Sequence, residues 1–130
     1  MSVPHNNPGN LRFIASIKWL GQIGADRGFC VFDGINNGAR ALAIDLLNAQ
    51  QIHHLTTIAQ IINTYAPTNE NDTAAYIAAV SLETGFGRND MLNLKLKSTL
   101  TSLVCAVWHH EQGQRPDLAA VDYGVAAALA

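Results

Sequence analysis

Along most of the chain the apolar residues recur at helical spacing. Ala39, Leu42, Ala43, Leu46 and Leu47 follow an i, i+3, i+4, i+7, i+8 pattern, which predicts a first helix of about 14 residues beginning near Asn36. Thr56 or Thr57 suits the cap of a second helix, with Ile58, Ile61, Ile62 and Tyr65 on one face and Pro67 as its stop. Asp72 or Thr73 opens a third, which turns Tyr76, Ala79 and Val80 inward and ends at Gly85. A fourth begins at Ser98, carries Leu100, Leu103, Val104, Val107 and Trp108, and stops near Gly113. An alanine-rich fifth runs from Asp117. Ahead of these helices the pattern is different. Residues 4–10 combine two prolines, a glycine and three asparagines, all turn formers. Short apolar runs at 11–19 and 29–32 are bounded by Gly21, Gly24, Gly28 and Gly34 and predict a small, irregular antiparallel hairpin. The expected fold is mainly α (α+β): a helical bundle with a small β-hairpin near the N-terminus, in one domain spanning residues 1–130.

Composition narrows the function. Hydrophobic residues make up 48% of the chain and charged residues 14%, which excludes a disordered chain and leaves apolar surface to meet a partner or ligand. The net charge is −2 and the eight Lys and Arg form no basic run among aromatics, so a nucleic-acid partner is not expected. No stretch approaches a membrane span. The first ten residues lack the apolar core of a signal peptide. A target outside the cytoplasm therefore implies delivery by a phage particle, a holin-type lesion or a contact-dependent secretion machine. The two cysteines, Cys30 and Cys105, have no metal-ligand spacing and read as buried thiols, with a disulfide after delivery to an oxidising compartment as the alternative.

Candidate chemistry rests on carboxylates. Glu111 is the next member of the apolar stripe formed by residues 100, 103, 104, 107 and 108. Burial and the negative end of the helix dipole would both favour its protonated form, as a general acid requires. Glu83 continues the stripe of Tyr76, Ala79 and Val80 in the same way. Spacing does not separate the two. Glu70, just before a helix N-terminus, suits capping or substrate positioning. Adjacent histidines, His53-His54 and His109-His110, diverge by about 100° on a helix and make poor joint metal ligands. Neither a metal nor a cofactor is expected. Cys30 paired with a histidine would be the nucleophile of a cell-wall amidase, although Phe29-Cys30-Val31-Phe32 reads as a packed strand.

Several segments resemble a family of small phage-borne proteins found as virion components or beside lytic enzymes. They are Asn6-Asn7-Pro8-Gly9-Asn10-Leu11-Arg12, Phe29-x-x-Phe32, Gly38-x-Arg40-Ala41, Thr57-Ile58-x-x-Ile61-Ile62, Tyr65-Ala66-Pro67, Glu70-Asn71-Asp72-Thr73-x-x-Tyr76-Ile77 and His110-Glu111-x-Gly113. The Tyr65 to Ile77 region is also similar to a cleft-lining segment of lysozyme-like lytic transglycosylases. Asn6-Asn7-Pro8-Gly9-Asn10-Leu11 resembles the Asn-Asn stretch that follows the catalytic Glu of related glucosaminidases. Here the Glu helix comes last, as in a circular permutation, an order that compact domains tolerate. That order requires Glu111 to lie near residues 6–10 and Tyr76.

The resemblance implies a lysozyme-like helical bundle that cleaves peptidoglycan glycan strands, as a lytic transglycosylase or muramidase, in a phage lytic protein or a secreted antibacterial effector. It would act in the periplasm or cell wall, or be virion-associated, with an immunity protein or delivery machine as further partner. Glu111 is the expected acid and Glu83 the runner-up. Asn6, Asn7, Asn10, Glu70, Asn71, Thr73 and Tyr76 are the expected substrate-binding residues, and Trp19 or Phe32 would stack on a sugar. A hydrolase needs a second carboxylate, for which Asp26 and Asp33 are the candidates. The alternative from another class is a non-catalytic wall- or partner-binding component.

Overall fold

Side-chain caps open the helices that start at Ile58, Thr73 and Leu118, and left-handed glycines close those that end at Thr84 and Gln112. The computed structural model describes residues 2–66 and 72–130, and among them five α-helices follow a two-stranded hairpin. Helix α1 spans Ile35–Gln51. Helix α2, Ile58–Tyr65, starts at Thr57 with a full capping box, in which the Thr57 hydroxyl accepts from the Gln60 amide and the Gln60 side chain answers to the Thr57 amide. Helix α3, Thr73–Thr84, is capped by Asp72 and closed by Gly85 in the left-handed conformation. Helix α4, Lys97–Gln112, is closed by Gly113 in the same way. Asp117 caps α5, Leu118–Leu129, by accepting from the amides of Ala119 and Ala120. The stop expected at Pro67 lies outside the described residues.

The hairpin differs from the expected one in its first strand. Strands β1, Gln22–Asp26, and β2, Phe29–Phe32, pair antiparallel around Arg27 and Gly28. Both turn residues have positive φ, 52° and 87°, the backbone that a two-residue hairpin turn requires. The apolar 11–19 run contributes only an isolated bridge between Arg12 and Phe29. Its side chains Phe13, Ile14 and Ile17 stand exposed rather than packed in a strand.

The helices enclose one apolar core that includes Leu42, Leu46, Ile58, Ile62, Tyr76, Val80, Leu100, Leu103, Val107 and Trp108. The inward stripe of α4 is as the spacing predicts, whereas on α3 Ile77 is buried and Ala79 exposed. Helices α1 and α5 approach closely at Gly124, where an added Cβ would sit 2.6 Å from the Ala39 carbonyl carbon. A smaller cluster of Leu11, Cys30, Phe32 and Ala41, with Trp19 and Tyr65 against it, fastens the hairpin to α1 and α2. No helix among the described residues is long and apolar enough to cross a membrane.

Candidate active site

The 6–10 loop is built to be held rigidly. Asn6 and Asn10 adopt positive φ, 51° and 50°, a conformation that asparagine tolerates better than most residues. Asn7 is buried, and its side chain is fully engaged. It donates to the carbonyls of Leu11 and Cys30 at 3.0 Å each and accepts from the Leu11 amide at 2.9 Å. Asn6 donates to the Phe32 carbonyl at 3.2 Å. The loop is pressed onto α1 and α2 at two glycines. A Cβ on Gly38 would run into the Asn6 carbonyl, and one on Gly9 into the Tyr65 hydroxyl and Leu42. The Tyr65 hydroxyl in turn donates to the Gly9 carbonyl.

The C-terminal end of α4 closes on this loop. Gln112 donates to the Pro8 carbonyl at 3.0 Å and, at longer range, to the Asn7 carbonyl at 3.3 Å and Asn10 Oδ1 at 3.4 Å. Glu111 is then caught between the loop and α3. Its Oε1 accepts from Asn10 Nδ2 at 2.8 Å and its Oε2 from the Tyr76 hydroxyl at 2.7 Å. Burial first, then the charges of Tyr65 and Glu111, drives the Tyr76 phenol far above its ordinary pKa, so it remains a hydrogen-bond donor. The imidazole of His110 stacks on the Tyr76 ring, with ring centroids 3.8 Å apart. Residues 101 and 35 positions away in sequence thus fix the two oxygens of one carboxyl.

Glu111 and Asn10 border a cleft of about 440 Å³, a size suited to a sugar or two. Its apolar wall comes from Ile14, Ile17, Trp19, Phe29 and Tyr65, and its polar groups include Arg12, Asp45 and His53. The Arg12 guanidinium lies 4.7 Å from the Phe29 ring centre. Burial pushes the Tyr65 phenol well above its usual range, and the nearby charges of Glu111 and Asp45 add to the effect. Burial likewise raises the Asp45 carboxyl to about 6, against the opposing influence of His53.

The structure brings together Glu111, Asn10 and Tyr76, and sets Trp19 in the cleft wall. Of the other expected residues that the structure describes, none joins them. Asn6, Asn7 and Thr73 hold backbone in place, the last by donating to the Ala66 carbonyl at 2.6 Å. Phe32 is buried and offers no face to a sugar. Asp26 lies 3.5 Å from His5 and Asp33 accepts from Asn37 at 3.0 Å, and neither lines the cleft. Glu83 is exposed near the C-terminal end of α3, 2.6 Å from His109 Nδ1 of α4, and does not line the cleft. Glu70 and Asn71 lie outside the described residues. The amidase reading loses its nucleophile, because Cys30 is 1% exposed and burial raises its thiol pKa. Both cysteines are free. Among the described residues no cluster of three metal-ligating side chains forms.

Three positions of the candidate site escaped the sequence: Asp45 and Tyr65 in the cleft lining, and Gln112 on the 6–10 loop. Asp45 carried a signal, since it occupies the same stripe as Ala41, Leu42 and Ala49, the criterion that singled out Glu111.

The sequence is similar to that of a bacteriophage protein. Over 116 residues the chain is 33% identical to Protein P5 of Pseudoalteromonas phage PM2, an alignment covering 86% of this chain and 71% of that protein. The chain belongs to the family of that phage protein. No protein-family model matches the sequence.

Proposed function

We propose that this protein cleaves the glycan strands of peptidoglycan, with Glu111 as the general acid. The observation that carries the reading is Glu111 fixed through both oxygens, by Asn10 and Tyr76, at the border of an aromatic-walled cleft. Asn10 and Glu111 both border the cleft, whereas Tyr76 is buried behind the carboxyl. The Asn10 side of the carboxyl is therefore the side on which a glycosidic oxygen would be met. A positioned acid of this kind contributes roughly 10²–10⁴-fold to such a reaction. Trp19 and the ring of Tyr65 supply flat apolar faces for pyranose rings, and Arg12 a cation for the acidic groups of a muropeptide. The proximity of Glu111 to the 6–10 loop and Tyr76 is what a permuted lysozyme-like arrangement requires, and membership of a phage-protein family is compatible with a lytic role. No ligand is needed for the acid step beyond the glycan itself. Action on the wall by a virion or by a secreted effector, and the partners that would deliver or inhibit it, belong to the same proposal.

The test is digestion of isolated peptidoglycan by the purified protein, with soluble muropeptides identified by mass spectrometry. Release by the wild type that is lost in Glu111→Gln supports the reading. A second reading, a non-catalytic component that binds wall or a partner protein, is favoured by the exposed apolar side chains Phe13, Ile14, Ile17, Leu20 and Ile23 around the cleft mouth and hairpin. It predicts binding to sedimented peptidoglycan without soluble fragments.

A further inference from the structure

The cleft contains a carboxyl that acid catalysis alone leaves without a role. Asp45 projects from the middle of α1, on a stripe whose neighbours Leu42 and Leu46 are fully buried. Its own side chain is half-buried and borders the cleft. Among the described residues it takes no hydrogen-bond or ion-pair partner, which is unusual for an acidic group so placed. It and Glu111 are the two carboxyls that line the cleft among those residues. Asp45 comes from α1 and Glu111 from the end of α4, and Tyr65 of α2 stands near enough to both to feel their charges.

We propose that Asp45 is the base that activates the attacking water, so that the cleft hydrolyses the glycosidic bond and leaves a reducing end. This rests on the reading of the cleft as a glycan-cleaving site. Glu111 gives its proton to the glycosidic oxygen as the bond from that oxygen to the anomeric carbon breaks. A water oxygen bonds to the anomeric carbon and passes a proton to Asp45. The products are two sugars, each with a new hydroxyl, and exchange with solvent returns the proton from Asp45 to Glu111. Two carboxyls are the minimum for this route, whereas ring closure by the sugar's own 6-hydroxyl needs one.

The surroundings of Asp45 suit the role. Among the described residues, the other ionisable groups that line the cleft are His53 just beyond α1, whose charge Asp45 feels, Tyr65 from α2, Glu111 from α4 and Arg12 from the N-terminal segment. Burial holds its pKa at about 6, so it is ionised above that pH and is a stronger base there than an ordinary aspartate. The low-pH limb of activity should accordingly fall near pH 6.

The experiment is digestion of isolated peptidoglycan in ¹⁸O-water by the wild type, Asp45→Asn, Asp45→Ala and Glu111→Gln, with thermal melts to establish folding. We expect wild-type muropeptides with ¹⁸O-labelled reducing ends. Asp45→Asn should lower kcat by about 100-fold with KM within about threefold, and should lose the limb near pH 6. Azide should restore cleavage in Asp45→Ala, with glycosyl azide as product. Anhydro ends from the wild type, or a normal kcat in Asp45→Asn, would overturn the assignment while leaving Glu111-dependent cleavage standing. The wild-type product analysis decides even if both Asp45 variants unfold. No cleavage by the wild type, or full cleavage by Glu111→Gln, would instead strike the underlying reading.

Discussion

Two glutamates near the C-terminal ends of adjacent helices look alike in sequence and lie in opposite settings. Glu111, in the last turn of α4, is clamped by a loop from the other end of the chain and by a buried tyrosine, beside a walled cleft. Glu83, in the last turn of α3, meets only His109 among the described residues, and the side chains of the pair are 36% and 47% exposed. Both helices finish on a left-handed glycine, Gly85 and Gly113. What separates the two is what packs against the helix end. The 6–10 loop reaches α4 and gives Glu111 a fixed geometry, while Glu83 has water and one surface imidazole. A helix-end carboxylate becomes a candidate catalyst through its distant neighbours, not through its local sequence.

The largest effect expected from this contrast is on cleavage. Glu111→Gln keeps the shape and the Tyr76 donor but removes the transferable proton, and muropeptide release should fall at least about 100-fold. The far-UV spectrum and melting temperature should stay near wild type. A variant that retains full release would place the acid elsewhere in the cleft.

The next test removes the neighbour rather than the carboxyl. Gly38→Ala would ordinarily stabilise a helix by up to about 1 kcal/mol. Here the new methyl would strike the Asn6 carbonyl and also lie 2.9 Å from Pro8 Cδ. Backbone has nowhere cheap to go, so overpacking should win, with a net loss of about 2 kcal/mol in urea unfolding. Displacing the loop also takes Asn10 from Glu111, so cleavage should fall with stability. The Glu83–His109 contact, which joins α3 to α4, should survive in the variant's structure.

The same contrast explains what could be read from the sequence. The helices were legible because their apolar stripes and caps are local: Thr57 with Gln60, Asp72, Asp117, and the glycines at 85 and 113 each act within a few residues. The stripe through Trp108 to Glu111 was legible for the same reason. Strand β1 was not, since its residues past Gln22 are exposed and its place is set by the Arg27-Gly28 turn. The 11–19 run looked like a strand because it is apolar, but Ile14 and Ile17 border the cleft instead. Asn7 and Asn10 are close in sequence and similar in chemistry. Only tertiary packing makes one a buried staple for backbone and the other a partner of Glu111. Asp45 was hidden likewise, because which face of α1 opens on a cleft depends on α2 and the N-terminal segment.

Asp45 offers a subtler test, in stability and not activity. Its carboxyl is raised from 3.8 to about 6, so folding favours the protonated form. That contribution is complete below the unfolded value and is lost as the pH rises through about 6. Above that pH the native state carries an ionised, partly desolvated carboxyl without a partner. Asp45→Asn removes the charge, and the variant should be more stable than wild type by about 2 kcal/mol at pH 8, with little gain at pH 4. Stability gained at the expense of activity is the signature of a residue kept for function. Equal stability of the two proteins at pH 8 would mean that solvent already reaches the carboxyl freely.

The smallest expected effect belongs to the other glutamate, and it is the control on which the comparison turns. Glu83→Gln removes one charge from a contact of 2.6 Å with His109. Both side chains are well exposed, so water and salt screen the pair and its contribution should be within about 0.5 kcal/mol. Gln retains an oxygen that can still accept from the imidazole. No element other than α4 faces Glu83 as the 6–10 loop faces Glu111, so nothing remains buried and unsatisfied after the change. Urea unfolding should therefore barely shift, and muropeptide release should stay within about twofold of wild type, since surface changes away from a site rarely do more. A loss of release comparable to that of Glu111→Gln, with stability intact, would transfer the acid role to the α3 side and make the clamp around Glu111 a structural one.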